Sequence, residues 1–227
     1  MTGQRRIETA PPDYLDPEIP PGIASFALPL VRATEASLAG YGRLVSQPEA
    51  QAIEIVRWPA KGWRAIDSDS GDEGGTTEGV FQCWWEGSRL MGRNEAVNGH
   101  YVLGFSEPPG APARSVRAAA RRSHVLLWHV NYHPDGGQLF HPLEPGPFVV
   151  PLARPGDDIR PEHFKAFWFD GSQGLYIHPE IWHEGVFPTA PTGRFFDKQG
   201  RVHARVSCNL AKEFGVLLSV ELPTAIP

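Results

Sequence analysis

The strongest constraint on the fold lies in the second half of the chain. Short apolar segments follow one another there, separated by Gly, Pro and Asp. They are Val125–Trp128, Gln138–Phe140, Phe148–Leu152, Lys165–Phe169, Gly174–Ile177, Gly185–Phe187, Ala204–Ser207 and Val216–Val220. Segments this short, rich in Val, Leu, Phe and Trp, read as strands, and a spacing of roughly 8 to 15 residues suggests a sandwich or barrel. The chain holds 24 Gly and 23 Pro in 227 residues. They are spread without period, so they serve as turns between strands rather than marking disorder. The expected fold is mainly β: a double-sheet jelly-roll barrel with a few short helices, an architecture that can enclose a ligand cavity.

Upstream the pattern is looser. Residues 1–24 are polar and proline-rich and read as an arm that stays mobile or lies across a neighbouring surface. Residues 25–227 suit one domain. Thr34–Ala39 is good helix material, with Thr34 as cap and Gly40 as terminator. Ala52–Arg57, Val80–Trp85 and Tyr101–Phe105 read as strands. The polar segment Ser68–Gly79 is either a solvated connection or a loop that shapes a pocket mouth. A basic stretch, Arg114–Arg122, admits a short helix and lacks the interleaved aromatics of a nucleic-acid surface.

Composition narrows the function. A net charge of −5 and 21% charged residues give no basic balance for nucleic acid and no Lys/Arg run for a membrane surface. The first residues have no apolar h-region, and no apolar run approaches the roughly 20 residues of a membrane span. A cytoplasmic protein is expected. Cys83 and Cys208 sit in apolar, strand-like contexts outside any metal-ligand spacing, and read as buried free thiols.

Two patches carry chemistry: His129–Gln138 (HVNYHPDGGQ) and Gly174–His183 (GLYIHPEIWH). Side chains two apart on a strand share a face. Asn131 and His133 can therefore point into one cavity, Gln138 can return to it after the Pro-Asp-Gly-Gly turn, and His183 can enter from a facing strand. This is the arrangement of a cupin barrel, whose first motif usually supplies His-x-His and a Glu and whose second supplies one more His. Here Asn131 replaces the first His and Gln138 the Glu. A divalent cation held by His133, Gln138 and His183 would lose an imidazole and a carboxylate, so such a site is weakened. The expected cofactor is none, or a divalent metal ion. His100, His124, His141, His163 and His203 read as structural. His133, His178 and His183 stand beside Gly/Pro turns at matching places in two motifs and are the functional candidates.

At this point the sequence resembles the ureidoglycolate lyase family. Gly156–Asp157–Asp158, Lys165–Ala166–Phe167, Asp170–Gly171–Ser172–Gln173–Gly174 and His178–Pro179–Glu180–Ile181–Trp182–His183 match its pattern. So do His133–Pro134 with Gln138, Phe140 and Pro142, and, more thinly, Tyr41–Gly42. The resemblance is strong over residues 124–190 and weak over 65–120. It implies a cupin-type β-barrel, a homodimer, and cleavage of (S)-ureidoglycolate to glyoxylate and urea. One carbon of that substrate carries a hydroxyl, a ureido nitrogen and a carboxylate, so cleavage needs a base for the hydroxyl proton and an acid for the leaving nitrogen. Histidine can do either near neutrality. His133 and His183 are the expected pair, with His178 as third candidate. Gln138 and Asn131 can hydrogen-bond the substrate. Arg205, Lys165 and Arg93 are the candidate cations for its carboxylate, and Glu78 is a further pocket candidate. The competing readings are a metal-dependent cupin oxygenase, isomerase or hydrolase on another small carboxylate, and a non-catalytic carboxylate-binding cupin.

Overall fold

Almost every apolar segment of the second half becomes a strand in the computed structural model, which describes residues 12–68, 70–71, 73–110 and 121–226. The strands are β1 (Ala24–Ala27), β2 (Leu30–Arg32), β3 (Gly42–Val45), β4 (Thr76–Glu86), β5 (Arg89–Asn94), β6 (Gly99–Phe105), β7 (His124–Leu127), β8 (His129–Tyr132), β9 (Gln138–Pro142), β10 (Phe148–Ala153), β11 (Lys165–Phe169), β12 (Gly174–Ile177), β13 (Trp182–His183), β14 (Phe187–Pro188), β15 (Thr192–Gly200), β16 (Val206–Asn209) and β17 (Val216–Glu221). One short helix, α1 (Leu210–Phe214), precedes β17. The Asn209 side chain caps it by accepting from the Lys212 N–H, and Gly215 ends it in the left-handed conformation at φ 67°.

The strands form two sheets. One runs β1-β17-β7-β6-β5-β4-β15-β9-β12-β3, and the other runs β16-β8-β13-β10-β11-β2 with β14 paired to β10. The main apolar core draws on both: Phe81, Phe140 and Leu175 from the first, Val130, Val149, Phe167 and Trp182 from the second. This is the mainly β, cupin-type sandwich that the strand spacing predicts. Alternation along each strand sends one face to this core and the other outward.

Three expectations differ. Thr34–Ala39 forms turns, not a helix: Ser37 Oγ bonds back to the Arg32 carbonyl (2.8 Å) and Thr34 Oγ1 accepts from the Ser37 N–H (3.0 Å). Such hydroxyls compete with helical bonding. Gly40 still ends the turn, at φ 80°. Ala52–Arg57 makes only an isolated bridge, Ile55 to Gly136, and no ladder. Strands β5 and β15, both charged, are additions to the expected set. Cys83 and Cys208 are buried and unpaired. The basic stretch from Arg114 falls mostly outside the described residues, as do residues 1–11 of the arm.

Candidate functional site

The two histidine motifs meet at a cavity of about 430 Å³. His129 and Asn131 alternate along β8 onto its wall, and His133 continues that side just past the strand end. His183 lies on β13 directly opposite Asn131. The His133 and His183 rings are edge to face, 5.1 Å between centroids. Both are buried. Each Nδ1 faces a main-chain carbonyl: His133 toward Ala204 at 3.2 Å, His183 toward Ile181 at 2.7 Å. A carbonyl only accepts, so each Nδ1 carries a proton and donates it. Each neutral ring then keeps its free lone pair on Nε2. Burial holds His133 well below the usual histidine value, and the nearby His203 and His183 push it the same way. Burial also lowers His183, opposed by the Ile181 carbonyl and the Glu184 charge.

Gln138 links His183 to a buried acid. Its Oε1 lies 3.1 Å from His183 Nε2, and its Nε2 donates to Asp197 Oδ1 at 2.8 Å. In the β9–β15 ladder Gln138 pairs with Gln199 and Phe140 with Asp197, so these side chains share a face. Gln199 Nε2 donates to the second Asp197 oxygen at 2.7 Å. Asp197 has no exposed surface. Burial pushes its carboxyl up to about 6, against the hydrogen bonds from Gln138, Asn94 and Gln199. His183 thus stands between two acceptors, the Ile181 carbonyl and the Gln138 amide oxygen. Only the imidazolium donates to both, so a proton arriving at this pair of rings is received best on His183 Nε2.

The His203 ring packs against that of His133, tilted by 41° with 3.9 Å between ring centroids. Its backbone has a positive φ of 23°, a conformation that costs a non-glycine residue about 1 kcal/mol or more. The adjoining Ala204 peptide is clamped: its N–H donates to both Asp135 carboxylate oxygens (3.1 and 2.9 Å), and its carbonyl accepts from His133. Burial, with repulsion from Arg205 and His183, lowers His203 to about 4. Its Nδ1 and the Asn131 Oδ1 are buried with no partner among the described residues. Buried polar atoms are normally satisfied, so both fit a polar ligand in the cavity.

The charged side of the cavity is built from ion pairs. Arg205 Nε donates to Asp67 Oδ2 at 2.7 Å, which also accepts from Ser207 Oγ at 2.5 Å. The Arg205 N–H donates to Ser70 Oγ at 3.1 Å. Neither Nη of Arg205 enters a hydrogen bond among the described residues, which leaves a bidentate fork for a carboxylate. Glu184 Oε2 accepts from His129 Nδ1 at 3.0 Å and from Asn131 Nδ2 at 3.4 Å. Ser70, Gly71, Glu73 and Thr77 of the long polar loop also line the cavity.

Of the residues expected from the sequence, His133, His183, Gln138, Asn131 and Arg205 come together here. His178, Lys165, Glu78 and Arg93 do not. The His178 N–H bonds the Tyr41 carbonyl (3.1 Å) and its ring packs against Tyr176. Lys165 is exposed at the start of β11. Glu78 is exposed on β4, where alternation turns the neighbouring Thr77 toward the cavity instead. Arg93 is exposed on β5. His129, Glu184, Asp197, His203 and Tyr14 are site residues that sequence reasoning missed. His129 lies two residues before Asn131 and His203 two before Arg205, and that spacing was the available signal.

A metal does not fit the donor set. Gln138 spends its amide on Asp197 and His183 and offers no free ligand atom, which leaves the Nε2 atoms of His133 and His183 as only two imidazole donors. Among the described residues no group of three or more His, Cys, Asp or Glu is arranged to hold a metal ion. No helix among them is long and apolar enough to cross a membrane.

Comparison with known proteins bears on this geometry. The family model for ureidoglycolate lyase matches residues 91–212, which includes every histidine of the cavity. The chain is 37% identical over 70 residues to the ureidoglycolate lyase of Azotobacter vinelandii, covering 30% of this chain and 42% of that protein. It is 39% identical over 85 residues to that of Stutzerimonas stutzeri, covering 37% and 50%. For Agrobacterium fabrum the figures are 30% over 107 residues, covering 44% and 64%. The chain thus spans about half the length of the curated relatives it matches.

Proposed function

Because the chain belongs to the ureidoglycolate lyase family, we propose that it cleaves the C–N bond of (S)-ureidoglycolate, or of a closely related carbinolamide, to give glyoxylate and urea. The observation that carries this reading is the His133–His183 pair: two buried imidazoles in one cavity, each with Nδ1 fixed and Nε2 left for proton transfer. His133, held neutral by burial, takes the hydroxyl proton of the substrate on Nε2. The oxygen electrons form the glyoxylate carbonyl as the C–N bond breaks. The proton passes to His183 Nε2, beside the Gln138 amide oxygen, and from there to the leaving ureido nitrogen, which departs as urea. Both rings are then neutral again, and the site is reset. Arg205 holds the substrate carboxylate through its two Nη groups. The unpartnered Asn131 Oδ1 and His203 Nδ1 supply further polar contacts for the ureido group.

Release of glyoxylate from (S)-ureidoglycolate by the purified protein, with spontaneous decay subtracted, tests the reading. Rapid release that a chelator leaves unchanged is expected. Release abolished by chelator and restored by a divalent ion would move the histidines into a metal role, and no release above background would sink the substrate assignment.

We further read residues 25–227 as one barrel domain with residues 1–24 as its extension, and the working form as a cytoplasmic homodimer. The two buried, unpaired cysteines suit a reducing compartment, and two-fold dimers are the commonest assembly. Light scattering on the purified chain would settle its size.

A further inference from the structure

Tyr14 lies on the segment before β1, outside the matched family residues. That segment is fastened to the barrel at several points. Asp13 Oδ1 accepts from the N–H groups of Leu15 (2.9 Å) and Asp16 (3.1 Å), which closes a turn. The Tyr14 carbonyl accepts from the Val102 N–H on β6 at 2.8 Å. Arg89 on β5 donates to the Leu15 carbonyl (3.3 Å) and pairs with Asp16 (2.7 Å). The turn carries the Tyr14 ring onto the cavity wall, 5.8 Å from the Trp128 ring and edge-on to His129 at 5.3 Å.

There the ring meets Arg205, whose guanidinium carbon lies 4.9 Å from the Tyr14 centroid. Arg205 is therefore held on two sides. Asp67 takes its Nε, and Tyr14 covers one face. A free arginine would give up considerable rotamer entropy on binding an anion. One already stacked and paired has lost that freedom beforehand, which makes binding tighter. The Tyr14 hydroxyl is 3.5 Å from His129 Nε2, at the long limit of a hydrogen bond. It is the ring face that meets the guanidinium.

We propose that Tyr14 is a positioning residue for carboxylate recognition: its ring fixes the Arg205 guanidinium so that both Nη groups meet the carboxylate of a small α-hydroxy or α-oxo acid. This rests on the proposed function for the choice of carboxylate, and not on turnover.

The test uses the full chain and glyoxylate as probe, with binding followed by calorimetry and KM and kcat measured on (S)-ureidoglycolate. Tyr14→Phe keeps the ring face and should bind glyoxylate within about twofold of the wild type. Tyr14→Leu keeps apolar bulk against Trp128 without a π face, and should weaken binding and raise KM about five- to tenfold with kcat little changed. In an Arg205→Gln background the Tyr14→Leu change should have no further effect, whereas additive losses would mean a merely structural role. Tyr14→Leu protein that binds like the wild type, or Tyr14→Phe protein as weak as Tyr14→Leu, overturns the proposal. Wild-type protein that binds no glyoxylate overturns it as well. Wild-type protein that binds glyoxylate but releases none from ureidoglycolate sinks the lyase reading alone and leaves the role of Tyr14 standing.

Discussion

The His133–His183 side of the cavity and the Tyr14–Arg205 side are built by opposite means. On the first, the fixed partners are main-chain carbonyls and a neutral amide, and Asp197 sits behind Gln138. On the second, Arg205 pairs with Asp67, and the Glu184 carboxylate accepts a hydrogen bond from His129. Buried imidazoles without a direct counter-ion stay neutral near pH 7, so a proton can arrive and leave within the reaction. An arginine paired to a carboxylate does not exchange protons there and serves to hold an anion. The two sides also draw on different parts of the chain. The histidines, Gln138 and Asp197 lie within the matched family residues, whereas Tyr14, Asp67 and Ser70 lie upstream of them. The residues proposed for proton transfer fall inside the matched stretch, and part of the carboxylate side falls outside it.

Breaking the first side should have the largest effect. His183→Ala and His133→Ala should each keep the fold and lower kcat by roughly a hundred- to ten-thousandfold, the usual scale of acid–base assistance. Full activity in a folded variant would remove that residue from the reaction. The second side should respond in KM instead. Arg205→Gln removes charge-assisted hydrogen bonds and should raise KM roughly ten- to hundredfold with a smaller change in kcat. A loss confined to kcat would mean that Arg205 does not hold the carboxylate.

Asp197 offers a test without substrate. Its folded value, about 6, lies above the ordinary 3.8. The folded state therefore holds this proton more tightly than the unfolded chain between about pH 4 and pH 6. The stability it contributes is complete below that window and is lost as pH rises through it, by on the order of 3 kcal/mol. Asp197→Asn should flatten this part of the stability profile, read by urea unfolding across the window. An unchanged slope would mean that burial does not hold this proton and that the carboxyl titrates normally.

The sequence showed the architecture more fully than the site. Apolar runs such as Phe148–Leu152 and Lys165–Phe169 declare themselves because both faces, or one face and its neighbours, are buried. Strand β15 did not, because TGRFFDKQG carries Asp197 and Gln199 inward, and a buried acid and amide look like a turn until their partners are known. His133, His183 and Gln138 were legible from motif spacing. Tyr14 was not: nothing in a proline-rich segment tells which surface it crosses. Gly137 shows the same limit on a smaller scale. A Cβ there would fall 2.2 Å from the Tyr176 hydroxyl, a reason for glycine that only the packed structure supplies.

The smallest expected effects separate the cavity from the rest of the surface. Lys165 and Glu78 were reasonable candidates for the substrate from sequence, yet both are exposed, and neither lines the cavity. Lys165→Gln and Glu78→Gln should each leave KM and kcat within about twofold, since isolated surface charges contribute little at ordinary ionic strength. Glu78 sits opposite the half-buried Lys198 in the β4–β15 ladder. If either change raised KM as much as Arg205→Gln does, the carboxylate would bind outside the cavity. The division between a proton-transfer side and an anion-holding side would then fail, even with both histidines essential.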